Sequence, residues 1–390
     1  MKAESYLSRG VSPTKDDVKK AVADQSKGLY PGSFCKIIED VAGDPDWCSA
    51  VHADGAGTKS SAAYLMYRET GDSGWFSGIA QDSLVMNTDD LACIGAVDNF
   101  LISNTIGRNA HRIDADCLQS VIRGYDDAIR RMNELDINIV MTGGETADVG
   151  DLVKTIICDS TVVVRLKKTD VISAANIKAG QVIIGLSSSG RTIYEDKENS
   201  GIGSNGLTAA RHLLLHPDYR EKYPETFAET MPAGKAYCGR YHIHDLLPDS
   251  SLSAGEAVLS PTRTYLPVLK KIFSEYRHGI SGLIHCTGGG QVKCRDFGSG
   301  IRYVKDNLFA PPPIFNAIME SGDISNAEMY QVFNMGHRME IYCDESLAEK
   351  IIQTAGNFRL DAKIVGYTEK NTSGSDNQVV IKDQGREYLY

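Results

Sequence analysis

Residues 52–59 read HADGAGTK, at the exit of the apolar run WCSAV (47–51). A loop of the Walker kind needs four residues between its glycines and then Lys-Ser or Lys-Thr. Here Asp54 comes first, Gly55 and Gly57 flank one small residue, and Thr58 and Lys59 close the run. Taken alone the stretch reads equally as a tight strand-to-helix turn with an exposed lysine, because Asp-Gly is a common turn dipeptide. The functional reading is a metal–phosphate site. Asp54 takes a hard cation through oxygen, the backbone at Gly55 and Gly57 approaches a phosphate, and Lys59 neutralises charge.

Downstream, the spacing of Ile79, Leu84, Val85, Met86 and Leu91 predicts a helix within 74–96 that stops at Gly95. Asp82 and Asp90 are eight residues apart on it, about 800° of helix, which leaves them within roughly 80° of each other. Asp89 falls nearer still to the face of Asp82. A solvated acidic face is the bland alternative, but the neighbours Val85, Met86, Leu91 and Ile94 are apolar. Carboxylates among such neighbours are costly unless paired or bound to a cation. TGGETAD (142–148) adds Glu145 and Asp148 just past a strand and a Gly143-Gly144 turn. Acids on successive turns of one half-chain point to a magnesium site, which needs one or two direct carboxylates besides water and phosphate oxygens.

The chain has 390 residues, more than one core usually supports, so two domains are expected. Residues 1–168 form the first and 169–390 the second, divided near the polar run KTDVISAANIKAGQ (168–181). Strands (99–106, 137–141, 161–168), an amphipathic helix over 114–135 and glycine turns at strand ends make the order mixed α and β. The second half repeats the style, with loops SSSG (187–190), GSNG (203–206) and TGGG (287–290) that offer backbone N–H and hydroxyl donors. SPTRTY (260–265) is expected to start a helix, capped by Ser260 or Thr262 with Pro261 in its first turn. His285 reads as a packed core residue. The net charge of −10 argues against nucleic-acid binding. Nine cysteines without a C-x-x-C pair read as reduced core fillers. A polar N-terminus and the absence of a long apolar run predict a cytoplasmic protein with no membrane partner.

The motifs YLSRGVS (6–12), ADGAGTK, DDLACIGA (89–96), TGGETAD, GLSSSG, GSNG, LSPTRTY (259–265), HCTGGG (285–290) and FNMGHRM (333–339) occur in an order and spacing that resembles the aminoimidazole ribonucleotide synthetases, the phosphoribosylformylglycinamidine cyclo-ligases. That resemblance implies a two-domain α/β fold of the ATP-dependent synthetase kind, mixed α+β. Its N-terminal domain carries a mixed sheet and dimerises, and its C-terminal α/β domain faces the substrate. It implies ATP and Mg2+ as cofactors, a phosphoribosyl amidine as substrate, and a homodimer. Asp54 and Asp90 become metal ligands, and Lys59, Asp90 and Glu145 catalytic groups. Asp54, Gly55, Gly57, Thr58, Lys59, Gly143 and Gly144 would meet the nucleotide. Ser204, Asn205, Gly206, Thr287, Gly288 and Gly289 would meet the substrate. The alternative is another ATP-using member of the same superfamily, a small-molecule kinase or synthetase, or a non-catalytic paralogue. The chain departs from the family at Gly203, where a histidine is usual, at His337-Arg338, where small or apolar residues are usual, and after TGGG. An inserted segment, RTIYEDKENSGI (191–202), is expected to be either a solvated excursion or a flexible lid presenting Arg191 or Lys197.

Overall fold

Along 156–167, IICDSTVVVRLK, buried and outward residues alternate from end to end. This is the period-two pattern of a strand with one face on a core. The computed structural model describes residues 3–12 and 16–390. Its strands are β1 (Ile38–Glu39), β2 (Trp47–Gly55), β3 (Phe100–Arg108), β4 (Ile139–Asp148), β5 (Ile156–Lys167) and β6 (Val182–Ser187). There follow β7 (Ile280–His285), β8 (Ile301–Lys305), β9 (His337–Cys343), β10 (Ala362–Lys370), β11 (Gln378–Asp383) and β12 (Arg386–Leu389). The helices are α1 (Glu4–Leu7), α2 (Asp16–Ala21), α3 (Lys59–Thr70), α4 (Ser77–Ala92), α5 (Ala115–Asn133) and α6 (Leu207–Leu214). The last are α7 (Asp218–Lys222), α8 (Ala254–Leu259), α9 (Leu266–Tyr276), α10 (Pro313–Met319), α11 (Asn326–Val332) and α12 (Glu345–Gly356).

The first sheet has the order β1-β2-β5-β3-β4, antiparallel except for the β3–β4 pair. Helices α4 and α5 cover its inner face. The pattern of α5 explains its place. Asp114 accepts from the Cys117 N–H at 2.9 Å as its N-cap, and Cys117, Val121, Tyr125, Ala128 and Met132 line the buried stripe. No described helix covers the outer face, and Val51, Val163, Leu101 and Val140 stand opposite one another across four strands. Three of them are 50%, 47% and 44% exposed: Val51, Leu101 and Val140.

The second sheet has the order β12-β11-β8-β10-β6-β9-β7, with β8 and β11 its parallel pair. Helix α12 crosses β6 and β10 and packs on α9. The last strand of one sheet ends at Lys167 and the first of the other begins at Val182. Residues 3–9 nevertheless sit on the second half. Glu328 accepts from the Tyr6 N–H at 2.6 Å, and Arg9 pairs with Asp323 at 2.7 Å. All nine cysteines are free, eight of them buried. No described helix is long and apolar enough to cross a membrane.

Three local expectations are corrected. Gly143 and Gly144 form no turn past the strand; they lie inside β4, where the register with β3 shifts between Ile102 and Asn104. Gly143 takes φ +117°, and a Cβ on Gly144 would lie 1.7 Å from Asn104 Oδ1, so the bulge needs both glycines. Residues 260–265 are not helical, and α9 begins only at Leu266. Their backbone donors are captured from outside: Thr262 N–H by Asp82 at 2.7 Å and Tyr265 N–H by Asp89 at 3.1 Å. The insertion 191–202 is no loose excursion. Tyr194 and Asn199 are buried, Tyr194 Oη donates to Thr264 O at 2.9 Å, and Asn199 Nδ2 donates to Pro261 O at 2.8 Å. Glu195 accepts from Arg263 Nη2 at 2.6 Å and from its Nε at 3.0 Å. Arg191 and Lys197 stay at the surface.

Candidate active site

Helix α4 is buried on nearly every side, because the first sheet lies against it on one flank and loops of the second half on the other. Each of its three acids therefore sits in a dry environment, and each has its own set of donors. Asp82 Oδ1 accepts from Lys59 Nζ at 2.8 Å, Thr262 N–H at 2.7 Å and Thr262 Oγ1 at 2.5 Å, while its Oδ2 has no partner. Asp89 accepts from Thr264 Oγ1 at 2.8 Å and from Tyr265 N–H. Burial pushes the Asp89 carboxyl up to about 6, against the opposing pull of His285 and Arg338.

Asp90 lies between two histidines. His285 Nδ1 stands 2.6 Å from Oδ1 and His52 Nε2 stands 3.3 Å from Oδ2. The donors decide the tautomers. Arg338 Nε, which can only donate, points at His285 Nε2 at 3.0 Å, so His285 carries its proton on Nδ1. Asn87 Nδ2 faces the carbonyls of Asp54, Ser83 and Ser160, so Asn87 Oδ1 accepts, and His52 Nδ1 donates to it at 2.9 Å. With its other nitrogen turned to Asp90, His52 is an imidazolium. Burial opposes that charge, but the bond to Asp90 outweighs it and raises the pKa to about 9. Burial alone would raise Asp90, yet the two histidines hold it well below the usual carboxylate range.

Lys59 is fully buried. Its three N–H groups go to Asp82, to Gly203 O at 3.2 Å and to Ser260 O at 2.5 Å. With all three N–H groups engaged inside the protein, Lys59 joins α3 and α4 to the second half. Losing one member of such a pair costs about 3–5 kcal/mol, since the other charge is left dry.

Around α4 the second-half motifs converge. Thr58 and Thr208 hydroxyls meet at 2.9 Å, Ser204 and Thr262 hydroxyls at 2.8 Å, and Asn205 Nδ2 reaches Met86 Sδ at 3.8 Å. Thr287, Gly288 and Gly289 follow His285 at the end of β7, and Gly288, Gly289 and Gly290 all have positive φ. Gly206 is buried at the entrance to α6. Gly203 has Arg338 beside it, with an ideal Cβ 3.6 Å from Arg338 Cδ. The two family departures are thus one packing solution: a large cation stands next to the glycine.

Not every sequence-derived residue joins this cluster. Asp54 is exposed at the end of β2, next to His52. Glu145 is exposed on β4, with β5 and β3 between β2 and β4, about 14 Å from β2 at the usual strand spacing. It is therefore not beside Asp54 in one chain. A magnesium ion fits Asp54 better than Asp90, whose two oxygens both have histidine partners. Asp159, which the sequence reading passed over, is the neighbour that fits. It is paired with Gly55, and a Cβ there would lie 1.7 Å from its Oδ1. Burial raises its pKa, and the Asp54 charge raises it further. A hard cation between two such carboxylates relieves that repulsion. His52 was also passed over; its signal was a polar residue on the inward side of β2.

Comparison with known proteins adds the family. The models for AIR synthase related protein match this chain over 35–165 for the N-terminal domain and 178–376 for the C-terminal domain. Phosphoribosylformylglycinamidine cyclo-ligase of Methanocaldococcus jannaschii is 29% identical over 338 residues, 86% of this chain and 83% of the relative. That of Methanococcus vannielii is 30% identical over 331 residues, 84% of this chain and 79% of the relative. Among solved structures, T. maritima PurL complexed with FGAR superposes with a TM-score of 0.56 at 13% identity, over 99% of this chain and 51% of that one. The same protein complexed with ATP gives 0.51 at 13% identity, over 99% and 50%. The chain thus spans about half the length of the PurL chains it matches, and the likeness is one of fold. With both family models matched in order, and an archaeal relative alike over most of its length, this chain belongs to the AIR synthase related family.

Proposed function

We propose that the protein is a cytoplasmic phosphoribosylformylglycinamidine cyclo-ligase of purine biosynthesis, converting formylglycinamidine ribonucleotide and ATP to aminoimidazole ribonucleotide, ADP and phosphate. The observation that carries this reading is the convergence on α4, where GTK, TDD, GSNG, SPTRTY, HCTGGG and FNMGHRM all meet through named contacts. Likeness to the archaeal cyclo-ligases over most of the chain supports the substrate, and the ATP-complexed PurL supports the nucleotide.

An amide oxygen is a poor leaving group. Transfer of the ATP γ-phosphoryl group to it releases ADP and makes it a good one. The ring-closing nitrogen then attacks the same carbon, the C–O bond breaks, phosphate departs with the oxygen, and the nitrogen loses a proton. The protein's share is positioning and charge neutralisation. Ser204, Asn205 and the 287–289 run present hydroxyl, amide and N–H donors to the substrate. The Gly55–Thr58 loop approaches the nucleotide phosphates. Asp54 with Asp159 would hold magnesium, which when bound would offset phosphate charge. The His52 imidazolium adds a fixed cation beside them, and Asp90 keeps His52 and His285 in place.

The outer face of the first sheet supports a homodimer. The row Val51–Val163–Leu101–Val140 is too apolar to be left wet over four strands, and a second copy of the same face suits an isologous contact.

Turnover tests the proposal: purified protein with formylglycinamidine ribonucleotide, ATP and magnesium yields aminoimidazole ribonucleotide, ADP and phosphate in equal amounts. ATP hydrolysis indifferent to that substrate, with no imidazole formed, would reject it.

A further inference from the structure

We propose that His216, Asp218 and His242 form a binding site for a transition-metal ion of the zinc type, apart from the active site. The cluster lies beyond the C-terminal end of α6, whose first turn holds Thr208 beside Thr58. Two chain segments supply it, and their backbones are pinned together. Leu215 and Tyr241 form a bridge, His216 N–H donates to Tyr241 O at 2.9 Å, and Tyr241 N–H donates to Leu214 O at 3.1 Å.

Two of the three donor separations suit ligands around one ion, and all the ligand atoms lie within 4.8 Å of one another. Asp218 Oδ2 lies 3.2 Å from His216 Nδ1 and 3.2 Å from His242 Nε2. Without an ion, His242 Nε2 and Asp218 Oδ2 are within hydrogen-bond reach of each other. Donors at the corners of a tetrahedron with arms of ~2.0–2.1 Å stand ~3.3 Å apart. Both separations agree with the tetrahedron. The Asp218 N–H approaches His216 Nδ1 at 3.3 Å, which marks that nitrogen as the one bearing a lone pair. An imidazole lone pair and a carboxylate oxygen thus face each other, an arrangement that a cation relieves.

The surroundings orient the ligands. The two imidazoles stack with centroids 4.3 Å apart and 27° between planes, and Tyr219 packs its ring edge against His242 at 5.8 Å. Asp245 Oδ2 stands 3.6 Å from the other nitrogen of His242 and accepts the His242 backbone N–H at 2.6 Å. A carboxylate behind a ligating histidine fixes its tautomer and raises its basicity. Two imidazoles and one carboxylate suit zinc, copper or nickel, whereas magnesium and calcium prefer all-oxygen sets. Three protein ligands leave a position for water or an outside donor. The buried trio Cys286, His337 and Glu340 offers similar atoms, but Lys305 already supplies the cation at Glu340.

The experiment is a zinc chloride titration by calorimetry of full-length protein, free of any histidine tag and stripped with chelator. One equivalent is expected to bind, with excess magnesium failing to displace it. His216→Ala and His242→Ala should each weaken binding at least tenfold, Asp245→Asn more mildly, and Cys238→Ser not at all. Cobalt in place of zinc should give the visible absorption of a tetrahedral site, lost in His242→Ala; unchanged melting of each variant excludes misfolding as the cause. No stoichiometric zinc uptake by the wild type, binding by both histidine variants as tight as wild type, or loss in Cys238→Ser instead, would each overturn the proposal.

Discussion

His52 shows how much one hydrogen-bond ledger can decide. Its two nitrogens face acceptors, Asn87 Oδ1 and Asp90 Oδ2, so it holds two protons when the fold is intact. Its folded pKa of about 9 lies above the ordinary value, taken as ~6.5 for the unfolded chain. A raised histidine stabilises the fold fully below about pH 6.5 and ceases to do so as pH rises through about 9, a contribution on the order of 3 kcal/mol. Nitrogen NMR of histidine-labelled protein at pH 8 should show one histidine with both ring nitrogens protonated, and His52→Gln should remove that signal. A neutral His52 at pH 8 would contradict the tautomers deduced for the whole Asn87–His52–Asp90–His285–Arg338 chain. Neither this chain of contacts nor Asp159 was legible in the sequence, because each contact joins residues far apart along it.

At the scale of elements, patterns that depend on local periodicity were legible and patterns overridden from a distance were not. Helix α5 follows from its Asp114 cap and apolar stripe, and α4 from its apolar spacing, including the conclusion that its acids need partners. The partners themselves, Lys59, Thr262, Thr264, Tyr265 and two histidines, come from elsewhere in the chain, so local spacing could not name them. Residues 260–265 have helix-start chemistry but spend their N–H groups on Asp82 and Asp89. The insertion 191–202 has a loop's composition, yet Glu195 clamps the buried Arg263. Glu195→Ala should therefore lower the melting temperature by roughly 5 °C or more, since an unpaired buried guanidinium costs about 3–5 kcal/mol. A Tm unchanged from wild type, with ATP consumption uncoupled from product, would restore the flexible lid.

For the whole molecule, two α/β halves close on one helix, and the proposed homodimer sets a second copy over the outer face of the first sheet. Leu101→Lys places a charge in the middle of the Val51–Val163–Leu101–Val140 row. Light scattering should find a dimer for wild type and a monomer for the variant; a monomeric wild type with full activity would refute the dimer. The central claim, ring closure through a phosphorylated amide, is tested most directly by following the amide oxygen. Substrate labelled with ¹⁸O at that oxygen should release inorganic phosphate carrying one labelled atom for each aminoimidazole ribonucleotide formed. Unlabelled phosphate, with the heavy oxygen recovered in water or retained in the product, would contradict the account.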